Sequence, residues 1–138
     1  RVSLIKHAHH GFDIDRPGKD SFRHREAGCS EVLLTSDSRW VLMHELRGAR
    51  EPDLFTQLRV LSPCDVVLVE GFKSVPIPKL EVYRPSHGRP LIFPENPHVV
   101  AIATDTMPAK AIPSHLTHLD VNDPDRVTNF ILGFLELA

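Results

Sequence analysis

The sequence predicts an α/β protein with a mostly parallel central sheet flanked by helices. Three observations carry this. Val66-Val67-Leu68-Val69 is an unbroken, valine-rich apolar run, which fits a strand buried on both faces, as in parallel sheets. His98 to Thr104 is a second run of the same kind. Segments with helical spacing stand among these runs, and strands alternating with helices point to parallel pairing.

Each element follows from local chemistry. Val2 to Ala8 reads as the opening strand, and His9 to Lys19, with Gly11, Pro17 and Gly18, as a polar loop. Asp20 or Ser21 can cap a short helix through Ala27, which Gly28 stops in a left-handed turn. Glu31 to Thr35 and Arg39 to Leu46 are β-rich runs joined by Ser36-Asp37-Ser38, so a hairpin or tight strand junction is expected. Pro52 suits the first turn of a helix carrying Leu54, Leu58 and Leu61 on one face. The Asp65–Phe72 strand comes next. Val75 to Lys79, interrupted by Pro76 and Pro78, must be a loop or edge, and Leu80 to Tyr83 alternates like a half-buried strand. The last helix is the clearest. Asp123 caps it, Pro124 opens it, and Val127, Phe130, Ile131, Phe134 and Leu135 form one apolar stripe that must dock on a sheet.

Composition narrows the function. At 138 residues, without an internal repeat or linker, the chain reads as one domain spanning 1–138. A net charge of −2 leaves no broad basic field for nucleic acid or an anionic membrane. Cys29 and Cys64 form neither a CxxC pair nor a disulfide framework and are expected to be packed thiols. No apolar run is long enough to span a bilayer and no signal peptide is visible, so a cytoplasmic location is the default. The chain opens inside an apolar run at Arg1, which suggests a fragment or a processed chain.

The chemistry concentrates at strand ends. Open α/β sheets bind ligands past the carboxyl ends of their strands. Glu70 stands at such an end and can hold a metal ion or a water; Gly71 lets the backbone approach a phosphate, and Lys73 can neutralise one. The arrangement looks like the Walker B side of a nucleotide site. Glu70 also has a bland reading as an exposed strand terminus. No G-x-x-x-x-G-K-[ST] run accompanies it. Arg16-Pro17-Gly18-Lys19-Asp20-Ser21 comes nearest, but Asp13 takes the place of the first glycine and Asp20 that of the metal-binding hydroxyl. An acid aimed into a phosphate cradle repels its ligand, so this is not a Walker A, although Lys19 can approach phosphate from another side.

Lys6 to Asp15 holds His7, His9, His10, Asp13 and Asp15. It reads as a solvated loop, as a loop offering Lys, His or Asp to a nucleotide phosphate or its Mg²⁺, or as a transition-metal site on the histidines. Mg²⁺ prefers oxygen, so Asp13 or Asp15 would be its ligand. Asp105, ending the second buried run, is either a turn former or a carboxylate accepting the N–H groups of a guanine ring, without the NKxD signature. Trp40 and Met43 are expected in a core or interface. The remaining histidines read as surface or packing positions.

Ile5-Lys6-His7-Ala8-His9-His10, Asp13-x-Asp15-x-Pro17-Gly18-Lys19-Asp20-Ser21, Arg25-Glu26-Ala27-Gly28, Arg39-Trp40 and Val69-Glu70-Gly71-Phe72-Lys73, in that order, resemble one family. It is the molybdopterin-guanine dinucleotide biosynthesis adaptor protein B (MobB) family of P-loop GTP-binding proteins. The resemblance runs from about Val2 to the final helix. It implies a P-loop NTPase-like fold and a homodimer that binds GTP and Mg²⁺ and hydrolyses GTP slowly. It further implies assistance to the guanylyltransferase that attaches GMP to molybdopterin. Carried over, Glu70 and Gly71 match the Walker B end, as catalytic or metal-holding and as phosphate-facing positions. Lys6, His7, Lys19 and Lys73 fall near the phosphates or the partner's substrate, and Asp105 falls at a position suited to guanine.

Family members begin with a strand, a phosphate loop and a helix that have no counterpart in 1–138. Phosphoryl transfer rests on such positioning and electrostatics, so this stretch is expected to bind GTP poorly and not to hydrolyse it measurably. Without that strand two sheet edges would lie open, favouring dimerisation through an edge, instability alone, or membership of a longer polypeptide. Two other classes compete: a nucleotide-independent module that scaffolds the guanylyltransferase or binds an anionic pterin, and a metal protein using His7, His9 and His10.

Overall fold

The structure is a computed structural model that describes residues 1–8, 11–106 and 113–137. It divides into two compact units, Arg1–Val75 and Pro76–Ala138.

In the first unit, β1 (Val2–Lys6) and β4 (Val66–Glu70) pair in parallel, with Val2 opposite Val66 and Lys6 opposite Glu70. The parallel pairing expected of the valine run is present. Burial on both faces is not, because side chains alternate across a pleat. Val2, Leu4 and Leu68 share one face and are 66%, 59% and 41% exposed, whereas Ile5 on the other face is buried. Helix α1 spans Asp20–Glu26 with Lys19, not Asp20 or Ser21, at its N-cap and no side-chain cap bond. Its end is as expected. Gly28 lies at φ +112, its N–H donates to the Arg25 carbonyl, and the Cys29 N–H donates to the His24 carbonyl, the paired bonds of a Schellman stop.

β2 (Glu31–Thr35) and β3 (Trp40–His44) form the expected antiparallel hairpin, closed by Ser36 bonding to Arg39. Met43 is buried. Trp40 is 68% exposed, with Leu33 and Leu42 exposed on the same face, so Trp40 is no core residue. Cys29 is likewise exposed rather than packed, and Cys64 is half-buried. Helix α2 spans only Leu54–Leu58. Pro52 precedes it instead of opening it, because the Asp53 side chain accepts from the Thr56 N–H and takes the cap itself; Leu61 falls outside. Leu54 anchors the helix and is almost fully buried.

The second unit is built on β5 (Lys79–Tyr83), β6 (Val99–Thr104) and β7 (Thr117–Asp120), all parallel, with β6 in the middle. β6 meets the expectation of a strand buried on both faces: Ala101, Ile102 and Ala103 are at most 1% exposed. Helix α3 (Pro124–Phe134) is capped by Asp123, whose side chain accepts from the Arg126 N–H, and opens on Pro124. Its Val127 and Phe130 pack on the Ala101–Ala103–Leu119 core, so the apolar stripe docks as expected, while Phe134 and Leu135 stay partly exposed. β7 and the short 3-10 turns Pro85–His87 and Phe93–Glu95 were not legible in the sequence. The buried Glu81 carboxylate organises the second turn by accepting from the Ile92 and Phe93 N–H groups at 2.6 and 3.0 Å.

Candidate functional site

Parallel pairing sets the first cluster. Because Lys6 is opposite Glu70, the carboxyl ends of two adjacent strands coincide, and the residues leaving them are neighbours. Lys6 Nζ donates to Glu70 Oε1 at 2.9 Å, and the His7 N–H continues the ladder to the Glu70 carbonyl at 2.9 Å. Both partners of the Lys6–Glu70 pair are 61% exposed. A surface pair of that kind contributes at most about 1 kcal/mol, so a dication can displace Lys6 from Glu70 at little cost.

Gly71 is required here for two reasons. Its φ is +98, and a Cβ built on it would lie 2.9 Å from the His7 Cβ. Phe72 follows at φ +51, a left-handed conformation that is unusual for a bulky residue and that concentrates at functional sites. Its ring packs against His7 with centroids 5.2 Å apart, and its carbonyl accepts from the Val75 N–H at 3.0 Å. The His7 Nε2 in turn lies 3.2 Å from a Glu51 carboxylate oxygen. Lys73 sits in the turn that follows Phe72.

The Asp13–Asp15 segment is tied elsewhere in this unit. Arg25 Nη1 donates to Asp13 Oδ1 at 2.8 Å and lies 3.4 Å from Asp15 Oδ2, and Arg25 Nε donates to Glu45 at 2.7 Å. Asp15 Oδ1 also accepts from the Ser21 hydroxyl and the Arg16 N–H. The Arg25 guanidinium, with the Asp15 N–H, holds the Asp13 carboxyl below its ordinary value. Desolvation alone would raise the Asp15 carboxyl, but the hydrogen bonds from Ser21, Arg16 and Arg25 outweigh it and the net shift is downward. Both aspartates are therefore ionised at neutral pH, with Arg25 as their shared counter-ion. Lys19 lies at the start of α1, beyond that segment.

Glu70 offers carboxylate oxygens at the strand end, whereas Asp13 and Asp15 are engaged by Arg25 in their own loop. Among the described residues no three His, Cys, Asp or Glu side chains form a metal set. The proposed histidine site rests partly on His9 and His10, which lie outside the described residues; His7 pairs with Glu51.

A second cluster forms at the carboxyl ends of β5, β6 and β7, where Tyr83, Thr104 and Asp120 are in register. The residues that follow converge. Arg84 Nη1 donates to Asp105 Oδ2 at 2.6 Å and Arg84 Nη2 lies 3.4 Å from Asn122 Oδ1, while the Thr106 hydroxyl reaches Asp105 Oδ1. Desolvation pushes the Asp105 carboxyl up, but Arg84 and Thr106 pull it further down, so it too is an ionised acceptor. Thr104, nearly fully buried, bridges to Thr106 and fixes this corner. Arg84, Asn122, Phe72 and Glu51 were not identified as site residues from the sequence. For Arg84 a signal existed: it directly follows the Leu80–Tyr83 run expected as a strand.

The chain resembles known proteins both in sequence and in fold. The sequence profile of the family described as "Molybdopterin guanine dinucleotide synthesis protein B" matches residues 1–105. A protein of Haemophilus influenzae named molybdopterin-guanine dinucleotide biosynthesis adapter protein is 40% identical over 136 residues, covering 98% of this chain and 73% of the relative. An Escherichia coli protein of the same name is 38% identical, covering 99% of this chain and 77% of that protein. Among solved structures, one described as molybdopterin-guanine biosynthesis protein B superposes with a TM-score of 0.69 at 19% identity, over 97% of this chain and 80% of that one. A Bacillus stearothermophilus MobB homologue gives 0.68 at 17% identity, over 100% of this chain and 79% of that one. These structural likenesses establish the expected P-loop NTPase-like α/β fold, and the profile together with the sequence relatives establishes that this chain belongs to the molybdopterin guanine dinucleotide synthesis protein B family.

Proposed function

We propose that this chain is a GTP-binding accessory protein of molybdenum-cofactor biosynthesis, working beside the guanylyltransferase that attaches GMP to molybdopterin. The observation that carries the reading is the Lys6–Glu70 register, which gathers Lys6, His7, Glu70 and Gly71 at one strand edge. Glu70 holds Mg²⁺ or orients the attacking water, with Asp13 and Asp15 as further oxygen donors. Bound Mg²⁺ would neutralise phosphate charge. Gly71 presents bare backbone to a phosphate, and Lys6, His7, Lys19 and Lys73 supply positive charge or hydrogen bonds. Asp105, ionised and exposed, accepts the N–H groups of the guanine ring.

Residues 1–138 contain no G-x-x-x-x-G-K-[ST] run, so this stretch alone grips GTP weakly, and the family's slow hydrolysis needs such a loop as well. In this reading 1–138 acts as one GTP-binding domain of a cytoplasmic homodimer, and the exposed Trp40, Leu33 and Leu42 face favours self-association. Molybdopterin is met through the guanylyltransferase. A second reading is a nucleotide-independent module for the same partner. Sedimentation velocity of the chain mixed with the guanylyltransferase tests both. A faster-moving complex that tightens with Mg²⁺·GTP supports the first reading, a complex indifferent to nucleotide supports the second, and no complex refutes both.

A further inference from the structure

The three parallel strands of the second unit end in register at Tyr83, Thr104 and Asp120, and the residues just beyond them form a hydrogen-bonded relay. Asp120 Oδ1 accepts from the Asn122 backbone N–H at 2.8 Å and from its side-chain Nδ2 at 3.2 Å. The amide nitrogen is thereby engaged, and the amide oxygen faces Arg84 Nη2 at 3.4 Å. A flipped amide would set its nitrogen against a guanidinium and its oxygen against a carboxylate, so only one orientation satisfies both neighbours. Arg84 Nη1 then donates to Asp105 Oδ2 at 2.6 Å. A planar guanidinium held at two nitrogens has a fixed orientation, and it imposes that orientation on the carboxylate it meets. As a folding contact the Arg84–Asp105 pair adds little. Its side chains are 38% and 24% exposed, and solvent screens pairs of that kind. What the pair controls is where the Asp105 oxygens point.

A carboxylate has about four lone-pair positions, two on each oxygen. Arg84 takes one on Oδ2, and the Thr106 hydroxyl, at 3.2 Å, takes one on Oδ1. Each oxygen keeps a position for a further donor, which suits two donors lying side by side. Guanine presents such a pair in its ring N–H and exocyclic amine. Hypoxanthine has the ring N–H without the amine, and adenine sets a ring acceptor beside its amine. We propose that Arg84 is a positioning residue that sets base selectivity: backed by Asn122, it aims the two remaining acceptor positions of Asp105 at the ring N–H and amine of guanine. The inference rests on the reading of Asp105 given above and deepens it. A carboxylate free to rotate would still attract guanine but would separate it poorly from hypoxanthine.

The test is titration of the isotope-labelled full chain with millimolar Mg²⁺·GTP, Mg²⁺·ITP and Mg²⁺·ATP, followed by the amide shifts of Asp105 and Asn122. The parent should prefer GTP to ITP by about tenfold or more, the loss of one charge-assisted hydrogen bond, and should show no saturable ATP shift at those amides. Arg84→Met should bring the GTP-to-ITP ratio close to one and move the Asp105 carboxyl titration, followed by NMR without nucleotide, upward. Arg84→Lys keeps the charge but loses the planar fork. It should hold the Asp105 titration low and recover only part of the ratio, which separates orientation from charge. A parent that does not distinguish GTP from ITP would overturn the proposal. So would an Arg84→Met variant that loses both nucleotides equally, or one whose Asp105 titration stays in place. GTP shifts at residues 6, 7 and 70–73 with none at Asp105 and Asn122 would refute the base corner alone. No shift at either place would refute GTP binding along with it, whereas sedimentation with the guanylyltransferase reads the accessory role separately.

Discussion

Replacing Gly71 by alanine is expected to be among the most damaging single-methyl changes in this chain. Two costs combine. At φ +98 an L-residue meets its own carbonyl, a penalty of about 1–2 kcal/mol. The new Cβ also sits 2.9 Å from the His7 Cβ, which hangs directly from the neighbouring strand and cannot swing aside. Overpacking of that kind costs about 1–3 kcal/mol, so the sum is about 2–5 kcal/mol. Asparagine tolerates left-handed backbone, so Gly71→Asn removes most of the first cost while keeping the second. Gly133→Ala is the control: outside its own helix backbone no atom lies within 4 Å of the position a Cβ would take, and in helix α3 the change should stabilise by about 0.5–1 kcal/mol. Urea denaturation followed by far-UV circular dichroism and by Trp40 fluorescence, the latter reporting on the first unit, measures all three. A Gly71→Ala variant within about 0.5 kcal/mol of the parent, the usual range of a surface change, would refute the close approach of His7 and Gly71.

Three further outcomes follow from the contacts. Glu81→Ala strands the Ile92 and Phe93 N–H groups and should cost about 2–4 kcal/mol in urea denaturation, with faster hydrogen exchange confined to those amides. Asp13 and Asp15 have lowered carboxyl values, so the stability they contribute is complete above the unfolded value of 3.8 and fades as pH falls through their lower folded values. Arg25→Met should move both carboxyl titrations, followed by NMR, upward and make α1 less dependent on pH in that acidic window; unmoved titrations would contradict the Arg25 assignment. Asp123→Ala should lower stability by about 1 kcal/mol through loss of the α3 cap, read by thermal denaturation of helicity.

Sequence reasoning succeeded where one local rule dominates. Gly28 ends α1 because glycine takes the left-handed position without penalty, and Asp123-Pro124 starts α3 because both preferences coincide there. The valine run and the His98–Thr104 run announced parallel strands, whereas the shared edge of Lys6 and Glu70 emerged only from the strand register. It failed where two rules compete or partners lie far along the chain. Pro52 and Asp53 are both helix-start residues in series, and only the Asp53–Thr56 bond decides between them. Leu68 is as apolar as its neighbours, yet its exposure depends on which face of the β1–β4 pair is covered. Arg84 meets Asp105 across 21 positions, and Phe72 adopts its positive φ against a histidine 65 residues away, neither of which periodicity can register.

The central claim, that the Lys6–Glu70 edge faces a nucleotide–metal complex, is tested most directly by paramagnetic broadening. Mn²⁺·GTP added to the isotope-labelled chain at millimolar concentration reports even weak contact through amide line widths. Broadening concentrated at residues 6, 7 and 70–73, and diminished in Glu70→Gln, is the predicted result. Unbroadened amides at that edge, with line broadening only elsewhere in the first unit, would contradict the account.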